Sequence, residues 1–316
     1  MNVIVTGSIA FDYIMSFPGR FVEHILPEQL EHLSVSFLVD EMRRQYGGTA
    51  PNIAFNLALL GERPRVMGTA GQDFCEYRTW LEQHGVDTSL VREEADLFTA
   101  SFFVSTDLDG NQIASFYTGA MARARELSLV DNEADLITVS PNDPEAMVKY
   151  PAECQELGLP YLYDPSQQIV RLSGEDLKAG LEGCDLLVVN EYESCMLREK
   201  TGLSDQEIRA MPARACVVTL GEKGTSIWAN DEVYEIPAVP PKQMEDPTGV
   251  GDAFRAGLIK GLAMDLSWDL AGRMGALAAT YTLEQPGPQS HSYTLPEFVA
   301  RFREHFDDQG ALDVLL

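Results

Sequence analysis

The apolar positions fall into short, mostly β-branched runs, and amphipathic stretches separate them. Val3 to Thr6, Arg65 to Met67, Leu136 to Val139, Tyr161 to Tyr163, Leu186 to Val189 and Cys216 to Leu220 read as buried strands. Pro51 to Leu60, Phe74 to Gln83, Pro144 to Glu156 and Glu191 to Glu199 carry helical spacing. This alternation predicts an α/β fold, a mostly parallel sheet with helices on both faces. Two stretches break the pattern. Ser34 to Val39, and the pair Thr99 to Thr106 and Gln112 to Thr118 joined at Asp109-Gly110-Asn111, read as strands without intervening helices. They predict a small β-sheet lid, inserted at about 12–50 and 97–119 of a single domain spanning 1–316. Beyond Asp252 the pattern is helical, over Ala253 to Ala263, Leu270 to Leu283 and Pro296 to His305.

Composition changes the picture in one respect. With 23 Lys+Arg against 49 Asp+Glu the net charge is −26, a field that repels nucleic acids and anionic membranes and excludes them as partners. Any phosphorylated ligand must then be met locally by backbone amides, a few cations and Mg²⁺. The five cysteines are scattered and form no CxxC pair, which argues for a reducing compartment over a disulfide framework. Met1 to Gly7 reads as a first strand, not a leader. No apolar run approaches the roughly 18 residues that span a bilayer. A cytoplasmic protein is expected.

The most specialised segment is Asp246-Pro247-Thr248-Gly249-Val250-Gly251-Asp252-Ala253-Phe254, leading into a small-residue helix with Ala256 and Gly257. Two glycines at a helix start let free N–H groups approach a bulky anion, and the positive dipole end favours it. Amides of Gly249, Val250 and Gly251 are expected to form an anion hole. Asp252, at its mouth, is expected to stay ionised, a weak but well-placed base for a hydroxyl proton. A plain acidic helix start needs only Asp-Pro-Thr, so Gly-x-Gly-Asp is surplus to that bland reading. There is no Gly-x-x-x-x-Gly-Lys-[Ser/Thr], which excludes a P-loop enzyme.

Weaker elements fit the same end. Asn190 can reach a phosphate and Glu193 can hold the water shell of Mg²⁺, although Asn and Glu at that spacing also make a capping box. Thr219, Gly221, Lys223 and Gly224 leave a strand beside a nucleotide, or form a mere hairpin turn. Toward the N-terminus, Gly47-Gly48-Thr49-Ala50-Pro51-Asn52 opens a helix with paired glycines, and Asp12 follows the first strand, suited to accept from a ribose diol. Phe102 and Phe116 either sandwich a base or cover the lid. Gln167 and Gln168 either read its polar edge or belong to a loop surface.

Together these residues resemble the ribokinase (PfkB) family. The first glycine motif runs from Gly47 through Asn52 and Ala54 to Gly61 and Gly71, the second from Asp246 to Asp252. Within the family the likeness extends to adenosine kinases of the mycobacterial type, carried by Thr6 to Ala10, Ser16 to Phe21, Ser36 to Asp40, Ile113 to Tyr117, Asn142 to Met147 and Asp164 to Gln168. It implies a ribokinase-like fold and an ATP- and Mg²⁺-dependent phosphorylation of the adenosine 5′-hydroxyl, a purine-salvage step, by a homodimer joined through its lid strands. Dependence on a monovalent cation is left open. By the same resemblance Ser8, Asp12, Ser36, Gly48 and Asn52 hold the ribose, and Phe102, Phe116, Met121, Gln167 and Gln168 surround the base. Asn190, Thr219, Gly221 and Gly224 line ATP, Gly251 helps form the anion hole, and Asp252 is the base. Val250 departs from the small residue usual there. The residues themselves leave three readings: adenosine kinase, kinase for another nucleoside or a sugar such as ribose or fructose, and non-catalytic sensor.

Overall fold

The computed structural model describes residues 1–25, 31–32 and 34–316. In chain order the first half holds β1 (Val3–Thr6), β2 (Ala10–Ser16), β3 (Glu41–Gly47), α1 (Thr49–Leu59), β4 (Arg65–Gly71), α2 (Cys75–Gln83), β5 (Asp87–Glu94), β6 (Ala100–Thr106) and β7 (Gln112–Tyr117). There follow β8 (Leu136–Val139), α3 (Pro144–Leu157), β9 (Tyr161–Tyr163), α4 (Gly174–Leu181), β10 (Leu186–Asn190), α5 (Glu191–Thr201), α6 (Asp205–Ala210) and β11 (Ala215–Thr219). The chain ends on β12 (Thr225–Ala229), β13 (Glu232–Ile236), α7 (Val250–Ala263), α8 (Trp268–Leu283) and α9 (Leu295–His305).

The apolar runs assemble into a nine-stranded sheet of order β13-β12-β11-β10-β9-β8-β1-β4-β5, parallel from β11 to β5 and antiparallel at β12 and β13. Successive side chains on a strand point to opposite faces. Val3 and Val5 accordingly enter a core built with α1, α7, α8 and α9, while Ile4 enters a second core built with α3, α4, α5 and α6. Burial on both faces explains why these strands show no polar alternation. The small residues of α7 set its distance from α8: a Cβ on Gly257 would stand 2.7 Å from Gly275 Cα, so only glycine permits this crossing.

Strand order reverses at β1, which lies between β4 and β8. Open α/β sheets bind ligands at the carboxyl ends of strands beside such a reversal. Here the loops after β1 and β8 are joined by Ser8 N–H donating to Pro141 O at 2.7 Å.

The lid is a second sheet of order β3-β2-β6-β7. Its pairings are antiparallel except for parallel β2–β6. It departs from expectation in its first half. The strand expected at Ser34 to Val39 does not form; the lid uses β2 and β3 instead. Phe37 is drawn into an aromatic cluster, its ring 4.8 Å from Phe21 and 5.1 Å from Phe17. β3 escaped detection because Glu41 to Arg44 are exposed and carry no apolar alternation. Of the lid segment expected at 12–50, residues 26–30 and 33 lie outside those described. The sequence pattern also missed β5, β12, β13, α4 and α6, which are short or polar on one face.

Candidate active site

α7 starts abruptly because Gly249 takes φ +78°, and Pro288 occupies the place of a Cβ there. Val250 N–H donates to Pro247 O at 3.3 Å, so it is engaged within the turn, contrary to its expected place in the anion hole. The N–H groups of Gly251 and Asp252, in the first helical turn, have no helical acceptor. With the N–H of Gly249 at the N-cap, which likewise makes no hydrogen bond among the described residues, they are the donors left for an anion.

Asp252 is only 9% exposed. Its Oδ2 accepts from Asn52 Nδ2 at 2.9 Å, and its Oδ1 lies 4.0 Å from an Arg255 nitrogen one turn along α7. Burial pushes its carboxyl up to about 6, against the opposing pull of Arg255 and the Asn52 hydrogen bond. This changes the expectation of a weak base: burial and the field of Glu193 raise the group, which is better matched to a proton near neutrality. Arg255 is itself buried and bonded to Asp164, whose fully buried carboxyl is raised despite that partner. Glu193 adds its field to both Asp252 and Arg255.

Across the crevice, Gly48 takes φ +93° with Ser8 O filling the space of its Cβ. Ser8 Oγ accepts from Thr49 N–H at 3.2 Å, so this hydroxyl helps open α1 as well as facing the crevice. Asn52, buried on the first turn of α1, is thereby aimed at Asp252.

The lid registers Gln45, Asp12, Phe102 and Phe116 opposite one another on β3, β2, β6 and β7. Residues paired across a sheet share a face. The carboxylate and two rings singled out from sequence therefore form one row, with Gln45 as a fourth member that nothing in the sequence marked. Burial, then Asp246, pushes Asp12 up to about 6. Among the described residues no cation pairs with it. Gln45 Oε1 is buried without a hydrogen-bond partner, as is Oε1 of half-buried Gln168. Gln167 is exposed. Met121 packs with Ala10 and Ala100 at the base of the lid.

Ser36 is exposed and lies beyond the Ser16 end of the lid, where Asp40 N–H bonds Ser16 O, away from the Asp12 row. Asn190 and Glu193 do form the capping box, at 2.8 Å in both directions, and Glu193 Oε1 also accepts from Ser166 Oγ at 2.9 Å. Thr219 registers with Asn190 across β10–β11. Gly221 to Lys223 make the exposed turn into β12, and Lys223 touches none of the buried group. Gly224, at φ +94°, closes that turn against Ile236 O.

Sequence reasoning missed the polar residues behind Asn52. Gln289 Nε2 donates to Asn52 Oδ1 at 2.9 Å and to Tyr77 Oη at 2.6 Å. Trp80 Nε1 donates to Gln289 Oε1 at 3.1 Å, and Tyr77 Oη donates to Gly47 O at 2.9 Å. A lone Gln in a Pro-Gly loop gives no signal by itself. No three His, Cys, Asp or Glu among the described residues converge on a metal position.

Residues 8–295 match the pfkB family carbohydrate kinases. The chain belongs to that family. It is 30% identical over 309 residues to a nucleoside kinase of Methanothermobacter thermautotrophicus, covering 95% of each chain. Its fold superposes on a Burkholderia thailandensis nucleoside kinase in complex with inosine, with TM-score 0.87, 36% identity and coverage of 96% and 98%. The nucleoside kinase of Methanocaldococcus jannaschii, described as an archaeal member of the ribokinase family, also gives TM-score 0.87, at 26% identity with coverage of 96% and 99%. The same Burkholderia protein is known in complex with ADP-inosine. Both family glycine motifs of this chain thus stand at the crevice beside β1, one opening α1 and the other α7.

Proposed function

We propose that this chain is an ATP-dependent nucleoside kinase that phosphorylates the 5′-hydroxyl of a purine nucleoside, adenosine being the acceptor its motifs imply. The observation that carries the reading is the Asn52–Asp252 contact, which sets a buried carboxylate of raised pKa beside the free amides of α7. ATP, with Mg²⁺ shielding its charge, supplies the phosphoryl group. As the 5′-oxygen bonds to the γ-phosphorus, Asp252 takes the hydroxyl proton and the bond to the β-phosphate oxygen breaks, releasing ADP. The amides of Gly249, Gly251 and Asp252 meet charge on the transferring group, and positioning matters more than base strength in a loose transition state. Asp12 accepts from the ribose diol, while Phe102 and Phe116 flank the base. Gln168 Oε1 offers it an acceptor. Asn190, Thr219, Gly221 and Gly224 line the nucleotide, and Lys223 reaches it from the exposed turn.

Relatives that act on nucleosides, one of them holding inosine, support a nucleoside over a free sugar. A homodimer through the lid belongs to the same proposal, because β7 is an edge strand with all six residues exposed; sedimentation equilibrium measures it. The function is tested by turnover with ATP and Mg²⁺ on adenosine, inosine, guanosine, ribose and fructose. Purine nucleosides should exceed both sugars in kcat/KM by at least about 10²-fold, because a site built for paired polar groups rejects ligands that leave them unpaired. Preference for a sugar overturns the acceptor. Absence of turnover with all five, alongside tight nucleoside binding, overturns catalysis.

A further inference from the structure

Gln289 lies in the loop between α8 and α9, outside both glycine motifs, yet it is 4% exposed and every bond it makes has a forced direction. The indole N–H of Trp80 can only donate, so Gln289 must present Oε1 to it and turn its amide NH₂ toward Asn52 and Tyr77. At the far side the Gly47 carbonyl can only accept, so Tyr77 donates there and accepts from Gln289. Asn52 then has one orientation left: Oδ1 toward Gln289, Nδ2 toward Asp252. Reversed, Asn52 would point its oxygen at the Asp252 carboxylate and its NH₂ at another NH₂. The two faces of an amide are nearly equal in shape, and the bonding network decides between them.

We propose that Gln289 is a positioning residue, holding Asn52 in the single orientation in which it donates to Asp252 and tying that pair through Tyr77 to Gly47 at the end of lid strand β3. It touches neither substrate nor the reacting atoms. Its effect passes through Asn52, and it rests on the reading of Asp252 as the base. The pattern is fixed from the Trp80 indole and the Gly47 carbonyl, which cannot reverse their roles, and it runs through Gln289 to Asn52, whose NH₂ then meets the ionised Asp252. Lid position and base position are thereby parts of one connected network.

The test compares Gln289→Met, Gln289→Glu and Trp80→Phe with the parent in steady-state turnover, in nucleoside and nucleotide binding by calorimetry, and in thermal melting. Gln289→Met removes the donor and frees Asn52 to reverse, so kcat should fall by about tenfold with both Kd values within about twofold. Gln289→Glu can only accept, which draws the Asn52 NH₂ away from Asp252. Its kcat should fall further, on the order of 10²-fold, in the range expected when a reacting group loses its placement. Trp80→Phe keeps the aromatic bulk and removes only the orienting donor, and should fall between the parent and Gln289→Met. A structural role alone predicts a lowered Tm with kcat unchanged, and kcat within twofold of the parent in all folded variants overturns the inference. If neither Gln289 variant folds, Trp80→Phe decides by the same criterion. Asp252→Asn separates the two claims: if it turns over normally, the base reading fails. If it is inactive while the Gln289 and Trp80 variants are normal, only this inference fails.

Discussion

At the scale of single residues the decisive quantity is the protonation of Asp252. Burial raises its carboxyl to about 6, with Arg255 and Asn52 limiting the rise. A base must be ionised to accept, so kcat/KM, which reports the free enzyme, should climb with pH through about 6 and level off above it. The limb in kcat should lie higher, because the bound phosphates disfavour a charged carboxylate beside them. Asp252→Asn keeps nearly the same shape and the Asn52 neighbour, yet cannot take the proton. It should bind both substrates while turnover falls by about 10²–10⁴-fold. Removing a carboxylate beside three phosphates should also tighten the nucleotide, so the loss belongs in kcat and the gain in Kd. A flat profile from pH 5 to 8, with near-parent turnover by Asp252→Asn, would reduce this residue to a helix-start carboxylate.

At the scale of elements, the lid concentrates chemistry because its register sets Asp12, Phe102 and Phe116 in one row with Gln45. Phe116 is 49% exposed and lies on an edge strand, so Phe116→Ala should leave folding intact and raise the nucleoside KM. Stacking lost from one ring is worth roughly 1–3 kcal/mol in nucleic-acid sites, which corresponds to about 5- to 150-fold. Phe102, half-buried on β6, should show the same KM effect with some loss of Tm. An unchanged KM for both, with a lowered Tm, would make them lid packing only. The two aromatic strands were legible because their apolar positions and the Asp109-Gly110-Asn111 turn mark a hairpin. β3 was not, since a strand with an exposed face need not show alternation, and its one chemical residue, Gln45, has no motif around it. Asp252 and Asn52 were legible through glycines that only a close approach explains. Gln289 was not, because its role arises from contacts 209 to 237 positions away in the chain. Local pattern carries backbone demands well, and it carries side-chain partnerships only when they are local too.

At the scale of the whole molecule, charge and buried carboxyls act on stability in the same direction. Asp12 and Asp252 are raised to about 6 and Asp164 to about 7, all by burial first. Above an ordinary value near 4 the unfolded chain has released these protons while the folded chain still holds them, so stability falls as pH rises through this window. His291, held down to about 4 by burial, works the other way, because unfolding lets it take a proton below its ordinary value. Lowered carboxyls such as Asp308, at about 2, lose their contribution only at more acid pH. Three groups against one therefore favour the folded state at mildly acid pH, and the net charge of −26 adds self-repulsion that grows as carboxyls ionise. The ligand-free protein should melt at a higher temperature at pH 5.5 than at pH 7.5. Salt should raise the pH 7.5 value, since ionic strength near 0.15 M shortens the screening length to about 8 Å and weakens repulsion among surface carboxylates. The same salt should do somewhat less at pH 5.5, where histidines gain positive charge against the exposed carboxylates and the buried carboxyls are mostly neutral. Calorimetric melting across this grid separates the two causes: the buried groups give a pH slope that persists in salt, and the surface field gives the part that salt removes. A melting temperature that rises steadily from pH 5.5 to 7.5 at low salt would mean that these carboxyls are ionised at little expense, and the raised values assigned to Asp12, Asp164 and Asp252 would have to be abandoned.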